Sequence, residues 1–286
     1  MHLAKEENTM LRERFRLGSM ALPTIGVCLA GFVASASAGF IDSAVITTRI
    51  FNDDPDSVVM TTNLYPSLIS ISDSMLDGDG VGGEFANRHN FRLSSNGGIS
   101  SHVFSNDTRF EFYSDVTITG TANSEGGLNL SPWWSQEVDG VFMLNAGTGE
   151  VAAFGGRLPF FSFTSEFGVN YTKGSTVSVG MIYEPNGLSM ADPATIQYTY
   201  EDDMGSFMSA VLSFDEGNPA EDPPYGLWGM LNDARLGGYF QAQIDVGNPD
   251  NFGEIQFTDM SFIPEPAALA LLGLGGMVLL RRSRRQ

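Results

Sequence analysis

The sequence predicts an all-β protein, a two-sheet antiparallel β-sandwich of jelly-roll type. Apolar and polar residues alternate with a period of two, most clearly over residues 110–119 and 161–170. This alternation is typical of strands that place one face on a core and the other in water. Turn-forming sequences such as Asn96-Gly97 and Pro185-Asn186 separate the runs. About eleven short strands, with no helical period outside the two ends, favour a sandwich.

The strand predictions follow the alternation in chain order. The phase slips between Phe257 and Met260, which predicts a bulge in the last strand. The segment 215–238, rich in proline and glycine, is predicted to be a long loop. Strands are predicted near residues 41–51, 57–64, 84–93, 110–119, 139–145, 161–170, 175–183, 196–200, 207–214, 240–246 and 253–262.

Composition and charge exclude several classes of protein. The 286 residues are 42% hydrophobic and 17% charged, which rules out a disordered chain, a collagen and a polytopic membrane protein. The net charge is −19, and more than half of the basic residues lie near the two ends. We therefore expect no nucleic acid partner for the central domain. The single cysteine, Cys28, lies in an N-terminal apolar run, so we expect no disulfide and no thiol chemistry in the mature chain.

The N-terminus predicts a secretory signal peptide over residues 1–38. Three arginines within residues 12–16 precede an apolar stretch over residues 20–33, and Ala36 and Ala38 supply small residues at the positions that a signal peptidase inspects. Cleavage is expected between Ala38 and Gly39. The expected partners are the Sec export machinery and signal peptidase, and the folded domain is expected over residues 39–263.

The C-terminal tail, residues 264–286, has three parts. Pro264, Glu265 and Pro266 form an extended, helix-breaking motif. The following 14 residues, 267–280, are apolar and span about 21 Å as a helix, short of the bilayer core of about 30 Å. We expect this short transmembrane helix to insert with the domain outside the cytoplasm, because arginines stay on the cytoplasmic side. The arginines that follow the helix are Arg281, Arg282, Arg284 and Arg285.

This tail resembles the PEP-CTERM sorting signal of bacterial exosortase substrates, with Pro264, Glu265 and Pro266 on the namesake motif. The resemblance implies an exosortase as a partner, which acts near the motif. It further implies transient anchoring at the inner membrane, followed by delivery to the outer envelope or the extracellular matrix. A plain single-span anchor or a buried terminal helix is the alternative.

Two groups of residues are candidate ligand sites. Asp73, Asp77, Asp79 and Glu84, with glycines between them, resemble a calcium loop, although an acidic glycine-rich turn has the same composition. Trp133 and Trp134 could form an aromatic platform for sugar, yet adjacent strand residues face opposite ways, so one of them is expected in the core.

The sequence carries no recognisable catalytic motif. Carboxylate pairs are too abundant in so acidic a chain to single out a glycoside hydrolase, and two histidines, His89 and His102, are too few for a three-histidine zinc site. We therefore predict a protein that is not an enzyme and binds no cofactor, calcium apart. Its expected role is structural, in the envelope or matrix, with a carbohydrate-binding or calcium-binding module as the alternative and extracellular polysaccharide as a further partner.

Overall fold

The structure, a computed structural model, describes residues 40–132, 140–155, 158–214 and 228–264. Within these ranges the chain forms two antiparallel sheets and one short helix, which confirms the predicted sandwich. The described strands are β1 (Ser43–Asn52), β2 (Val58–Leu64), β3 (Leu68–Ser74), β4 (Ala86–Ser94), β5 (Phe110–Gly120), β6 (Ser124–Pro132), β7 (Gly140–Asn145), β8 (Val151–Gly155), β9 (Leu158–Ser162), β10 (Thr176–Glu184), β11 (Thr195–Asp202), β12 (Gly205–Met208), β13 (Leu212–Ser213), β14 (Ala234–Gln243) and β15 (Phe252–Pro264).

The two sheets have different strand orders. The seven-stranded sheet runs β1-β4-β14-β6-β7-β8-β9. The eight-stranded sheet runs β12-β11-β10-β5-β15-β3-β2, with β13 paired to β11. Because β14 and β15 are consecutive in the chain yet lie in opposite sheets, the chain crosses between the layers before its last strand.

The core lies between the sheets and is rich in aromatic rings. On β5, Phe110, Phe112, Val116 and Ile118 are fully buried, while the residues between them are partly exposed or lie outside the main core. The strand therefore shows the period of two that its sequence predicts. Burying each such side chain contributes about 1.5–3 kcal/mol.

The predicted bulge is present in β15. Its pairing with β5 shifts between Thr258 and Ser261, and Asp259 lies between them with a φ of 50°. Beyond the bulge the pairing resumes and continues to Pro264, which lies opposite Phe110. The strand therefore extends as far as the first residue of the predicted sorting motif.

The alternation over residues 161–170 does not mark a strand, and that prediction is wrong. Only β9 is extended there, and a helix, α1 (Phe163–Phe167), follows it. Ser162 caps the helix by accepting a hydrogen bond from the Ser165 backbone N–H, and Gly168 ends it with a φ of 73°. Capping and a left-handed glycine outweigh the apolar alternation here.

Other strands differ from their predicted bounds. The alternation did not reveal β3, β6 or β8. The predicted strand at 207–214 is two strands, the end of β12 and the short β13. β14 begins at Ala234, inside the predicted loop. Gly237 and Gly238 interrupt the apolar pattern of β14 and hide its first half. Among the described residues, no helix has the length and apolar character needed to cross a membrane.

Candidate functional site

The outer face of the seven-stranded sheet carries polar side chains on its three central strands. On β4, His89, Phe91 and Leu93 face the other sheet, so the residues that alternate with them face outward. All nine residues of β4 are buried, on both faces of the strand. We call the outward set on β4, β6 and β14 the arginine face, and its members are Arg88, Asn90, Arg92, Asn129, Ser131, Arg235 and Tyr239.

Strand register brings these residues side by side. Gly237 of β14 pairs with Arg92 on one side and with Asn129 on the other. Because Gly237 has no side chain, Arg92 can extend across β14 toward β6. Its Nη2 donates a hydrogen bond of 3.0 Å to the Ser131 Oγ, which donates in turn to the Asn129 Oδ1 at 3.1 Å.

Two glycines are required in the floor of this face. A Cβ atom on Gly237 would lie 2.0 Å from the carbonyl oxygen of Phe91, and one on Gly127 would lie 2.0 Å from that of Phe142. Gly127 also has a φ of 150°. Backbone approaches this close exclude any side chain at either position.

The electrostatics of the arginine face are unusual for so acidic a chain. Burial, and then repulsion from Arg88 and Arg235, lowers the pKa of the Arg92 guanidinium. Arg92 is 6% exposed, and its Nη1 has no hydrogen-bond partner among the described residues. No ion pair joins Arg92 to a carboxylate among the described residues, and a buried cation without a matching anion is costly. Arg92 is therefore a candidate partner for a negatively charged group.

Arg235 lies at the end of the face near the start of β14. Its Nη1 lies 2.7 Å from a carboxylate oxygen of Asp233, and its Nε donates to the Ser101 Oγ at 2.9 Å. His102 lies close by, with its Nδ1 2.9 Å from the Ser95 Oγ. Burial lowers the pKa of His102, and the charge of Arg235 lowers it further. The imidazole is therefore held toward its neutral form.

Tyr239 occupies the centre of the face. The guanidinium carbon of Arg88 lies 4.3 Å from the centroid of the tyrosine ring, a cation–π contact. The phenol oxygen lies 3.5 Å from the Glu125 Oε1, at the outer limit of a hydrogen bond. The ring also packs on an apolar group formed by Val141, Met143, Ala152 and Phe154. The face thus combines cations, amides, a phenol and an apolar wall, the mixture found in small-molecule sites.

A second polar group lies inside the core. The Arg49 backbone N–H donates to the His89 Nδ1 at 2.9 Å, so the ring proton is on Nε2, which lies 2.9 Å from the Asp73 Oδ2. Asn87 donates to the same oxygen at 2.9 Å. Burial acts to raise the pKa of Asp73, but these hydrogen bonds outweigh it and hold the pKa below its ordinary value.

The structure places the residues of the predicted calcium loop in two different surroundings. Asp73 lies in the core, whereas the Asp79 backbone N–H donates to the Glu84 Oε1 at 2.9 Å in the loop that follows. Asp77 receives the Gly247 N–H on its carbonyl oxygen. In the part of the chain that the structure describes, no three His, Cys, Asp or Glu side chains are arranged to hold a metal ion.

Most of the other predicted site residues lie outside the described residues. These are Ala36, Ala38, Gly39, Trp133, Trp134, Glu265, Pro266, Arg281, Arg282, Arg284 and Arg285. Pro264 is the exception and ends β15.

Sequence reasoning missed the arginine face. One signal was present: Arg88, Asn90 and Arg92 alternate with apolar or aromatic residues in a predicted strand. Three of the seven basic residues of the central domain thus belong to this face. Those seven are Arg49, Arg88, Arg92, Arg109, Arg157, Lys173 and Arg235.

Residues 262–285 match the family model of the PEP-CTERM protein-sorting motif. This match confirms the resemblance drawn from the tail. The motif marks the protein for export to the cell envelope and for processing by an exosortase. No curated protein matches the sequence.

Solved structures with a similar fold include two alginate lyases and a lectin-like protein. The alginate lyase AlgAT5 of polysaccharide lyase family 7 is 12% identical, covers 78% of this chain and 94% of its own, and gives a TM-score of 0.43. The alginate lyase from Corynebacterium sp. is 11% identical with the same coverage and a TM-score of 0.45. Arcelin-5, a lectin-like defence protein from Phaseolus vulgaris, is 11% identical, covers 78% of this chain and 99% of its own, and gives 0.36.

These matches contradict the prediction that the protein is not an enzyme, because polysaccharide lyases recur among the structures that resemble it. At such low identity and TM-score the likeness concerns the fold alone. Any activity must therefore be argued from the residues of this chain.

Proposed function

We propose that this exported protein binds an acidic polysaccharide on its arginine face. The observation that carries the proposal is Arg92, a buried guanidinium with two other arginines near it and an Nη1 that no described residue bonds. A guanidinium pairs with carboxylates through parallel hydrogen bonds. A uronate carboxylate would fill the vacant position on Arg92 and neutralise part of the charge.

The wider surroundings support a sugar rather than a small inorganic anion. Asn90 lies between Arg88 and Arg92 along β4 and pairs with Tyr239 in the strand register. Side-chain amides donate and accept hydrogen bonds, so they can bind the hydroxyls of sugars. A polysaccharide-binding sandwich delivered to the envelope also accords with the matrix role predicted from the sequence.

Affinity electrophoresis tests this proposal. The purified secreted chain should be retarded in gels that contain alginate or polygalacturonate, less so at high salt, and should run unretarded in neutral dextran. Arg92→Gln should abolish the retardation, whereas Arg109→Gln, on the opposite sheet, should leave it unchanged. Equal retardation of both variants, or retardation by dextran, would refute the proposal.

The same face favours a second candidate function, β-elimination of a uronate polymer. In that reaction a cation neutralises the uronate carboxylate and thereby acidifies the neighbouring C–H. A base takes that proton, the electron pair forms a double bond, and the glycosidic C–O bond breaks as its oxygen gains a proton. Arg92 fits the neutralising role, and Tyr239, on the adjacent strand, has a phenol suited to proton transfer.

Ultraviolet absorbance of the unsaturated uronate end measures this elimination directly. If the second candidate is correct, Tyr239→Phe should lose turnover while it keeps the gel retardation of the parent. Retardation without any absorbance in the parent protein would rule out elimination and leave binding as the function.

The processing of the two ends also belongs to the proposal. We propose cleavage between Ala38 and Gly39 and exosortase action near Pro266, with residues 267–280 holding the chain at the inner membrane beforehand. Mass spectrometry of the secreted form should show Gly39 at its N-terminus and no arginine tail. An intact tail in the envelope fraction would instead identify a permanent anchor.

A further inference from the structure

We infer that the outer face of the eight-stranded sheet carries a second carbohydrate site, built around Tyr113, that takes a neutral sugar chain. A cavity of about 360 Å³ opens there, lined by residues of β5, β10, β11 and β12. It lies on the opposite sheet from the arginine face, so the inference is independent of the function proposed above.

The ring of Tyr113 is held in a fixed position on the sheet surface. Gly180 of β10 pairs with Tyr113, and a Cβ atom there would lie 2.4 Å from the Tyr113 Cδ1. The tyrosine ring therefore occupies the space that a side chain at position 180 would fill. At its far end the phenol donates a 2.7 Å hydrogen bond to the Glu111 Oε2. A ring fixed at both ends gives a stacking surface at little entropic cost.

Hydroxyls and carboxylates surround this ring. The Ser206 Oγ donates to the Glu201 Oε2 at 2.6 Å, and the Ser178 Oγ donates to Asp115. Each carboxylate has oxygen lone pairs beyond these bonds, so it can accept further hydrogen bonds from sugar hydroxyls. Thr199 adds a hydroxyl to the wall of the cavity.

The charge of the cavity decides the class of sugar. Glu111, Asp115 and Glu201 give this surface a negative potential, which disfavours a polyanion. Arg109 does not offset it for a ligand, because Arg109 is already bonded to Glu111 and Glu184. The described residues hold no group arranged for a metal ion that could bridge an anion to these carboxylates. A neutral sugar remains the best fit.

Titration calorimetry with cellohexaose tests the inference. The secreted chain should bind cellohexaose, Tyr113→Ala should weaken the affinity at least tenfold, and Tyr113→Phe, which keeps the ring, should retain it within about threefold. Both variants should melt as the parent does, because the ring lies outside the core. Arg92→Gln should leave cellohexaose binding unchanged, which separates this site from the arginine face.

Three results would overturn the inference. They are no binding of cellohexaose by the parent, equal binding by Tyr113→Ala and the parent, and binding of a glucosamine hexamer or of alginate at this site in place of the neutral chain.

Discussion

Arg92 of β4 hydrogen-bonds to Ser131 of β6 although the whole of β14 separates the two strands. The contact exists because Gly237 leaves the surface of β14 open between them. The Nη1 of the same guanidinium has no hydrogen-bond partner within the described ranges of the chain. A side chain held in place yet incompletely bonded is typical of a binding residue rather than of a structural one.

Replacing Arg92 with methionine should stabilise the protein. The substitution removes a buried cation that Arg88 and Arg235 repel, and Ser131 keeps its hydrogen bond to Asn129. We expect a gain of about 1–3 kcal/mol in the free energy of unfolding, measured by urea denaturation. Arg109→Met is the matched control and should lose stability, because Arg109 has two carboxylate partners. A loss of stability in Arg92→Met would show that Arg92 is structural.

Gly237→Ala should damage both the fold and the arginine face. The new methyl group would lie 2.0 Å from the Phe91 carbonyl oxygen, so β4 and β14 must move apart. We expect a cost of about 2–3 kcal/mol, seen as a lower melting temperature. Gly82→Ala should be tolerated, since no atom lies within 4 Å of its added carbon. Similar melting temperatures for the two variants would contradict the close approach at Gly237.

The Asp73–His89 pair should govern stability in acid. Because the folded state holds the pKa of Asp73 below its ordinary value, this carboxylate stabilises the fold above about pH 4. That contribution is lost as the pH falls through the folded pKa. Asp73→Asn should therefore lower the free energy of unfolding at pH 7 by about 2–3 kcal/mol, measured as a lower urea midpoint. It should also flatten the acid transition. The exposed Asp56→Asn serves as the control, and an unaltered acid transition in Asp73→Asn would refute the assignment.

The folded domain should end at Pro264. Phe262 packs on Phe104 at 5.6 Å between ring centroids and on Phe110 at 6.4 Å, within a strand that pairs as far as Pro264. A chain that stops at Pro264 should melt like the full chain, whereas one that stops at Ser261 should lose about 3 kcal/mol. Circular dichroism melts measure both. If the two truncated chains melt at the same temperature, residues 262–264 contribute nothing to the stability of the fold.

The fold was predictable where local patterns agree with tertiary structure. The alternation of β5 and the phase slip at Asp259 both appear in the sequence and in the sheet. The alternation over residues 161–170 misled because Ser162 and Gly168 favour a helix more strongly. Only the second half of β14 was predicted, because Gly237 breaks the apolar pattern. The glycine is required by the close approach of the Phe91 carbonyl oxygen on β4, which the sequence of β14 does not show.

The arginine face could not be derived from the sequence because it depends on register. Arg92, Ser131 and Tyr239 are far apart in the chain, and only the order β4-β14-β6 brings them together. The sorting motif was predictable for the opposite reason: all its parts are contiguous in the chain.

The most direct test of the central claim is the melting temperature of the protein and of Arg92→Met with and without alginate. A ligand that binds only the folded state stabilises it by RT ln(1 + [L]/Kd), so at a fixed ligand concentration the melting temperature rises more for a tighter ligand. Alginate should raise the melting temperature of the parent and leave that of Arg92→Met unchanged, although the variant alone melts higher. Equal shifts in both proteins, or no shift in the parent, would contradict an acidic polysaccharide on the arginine face.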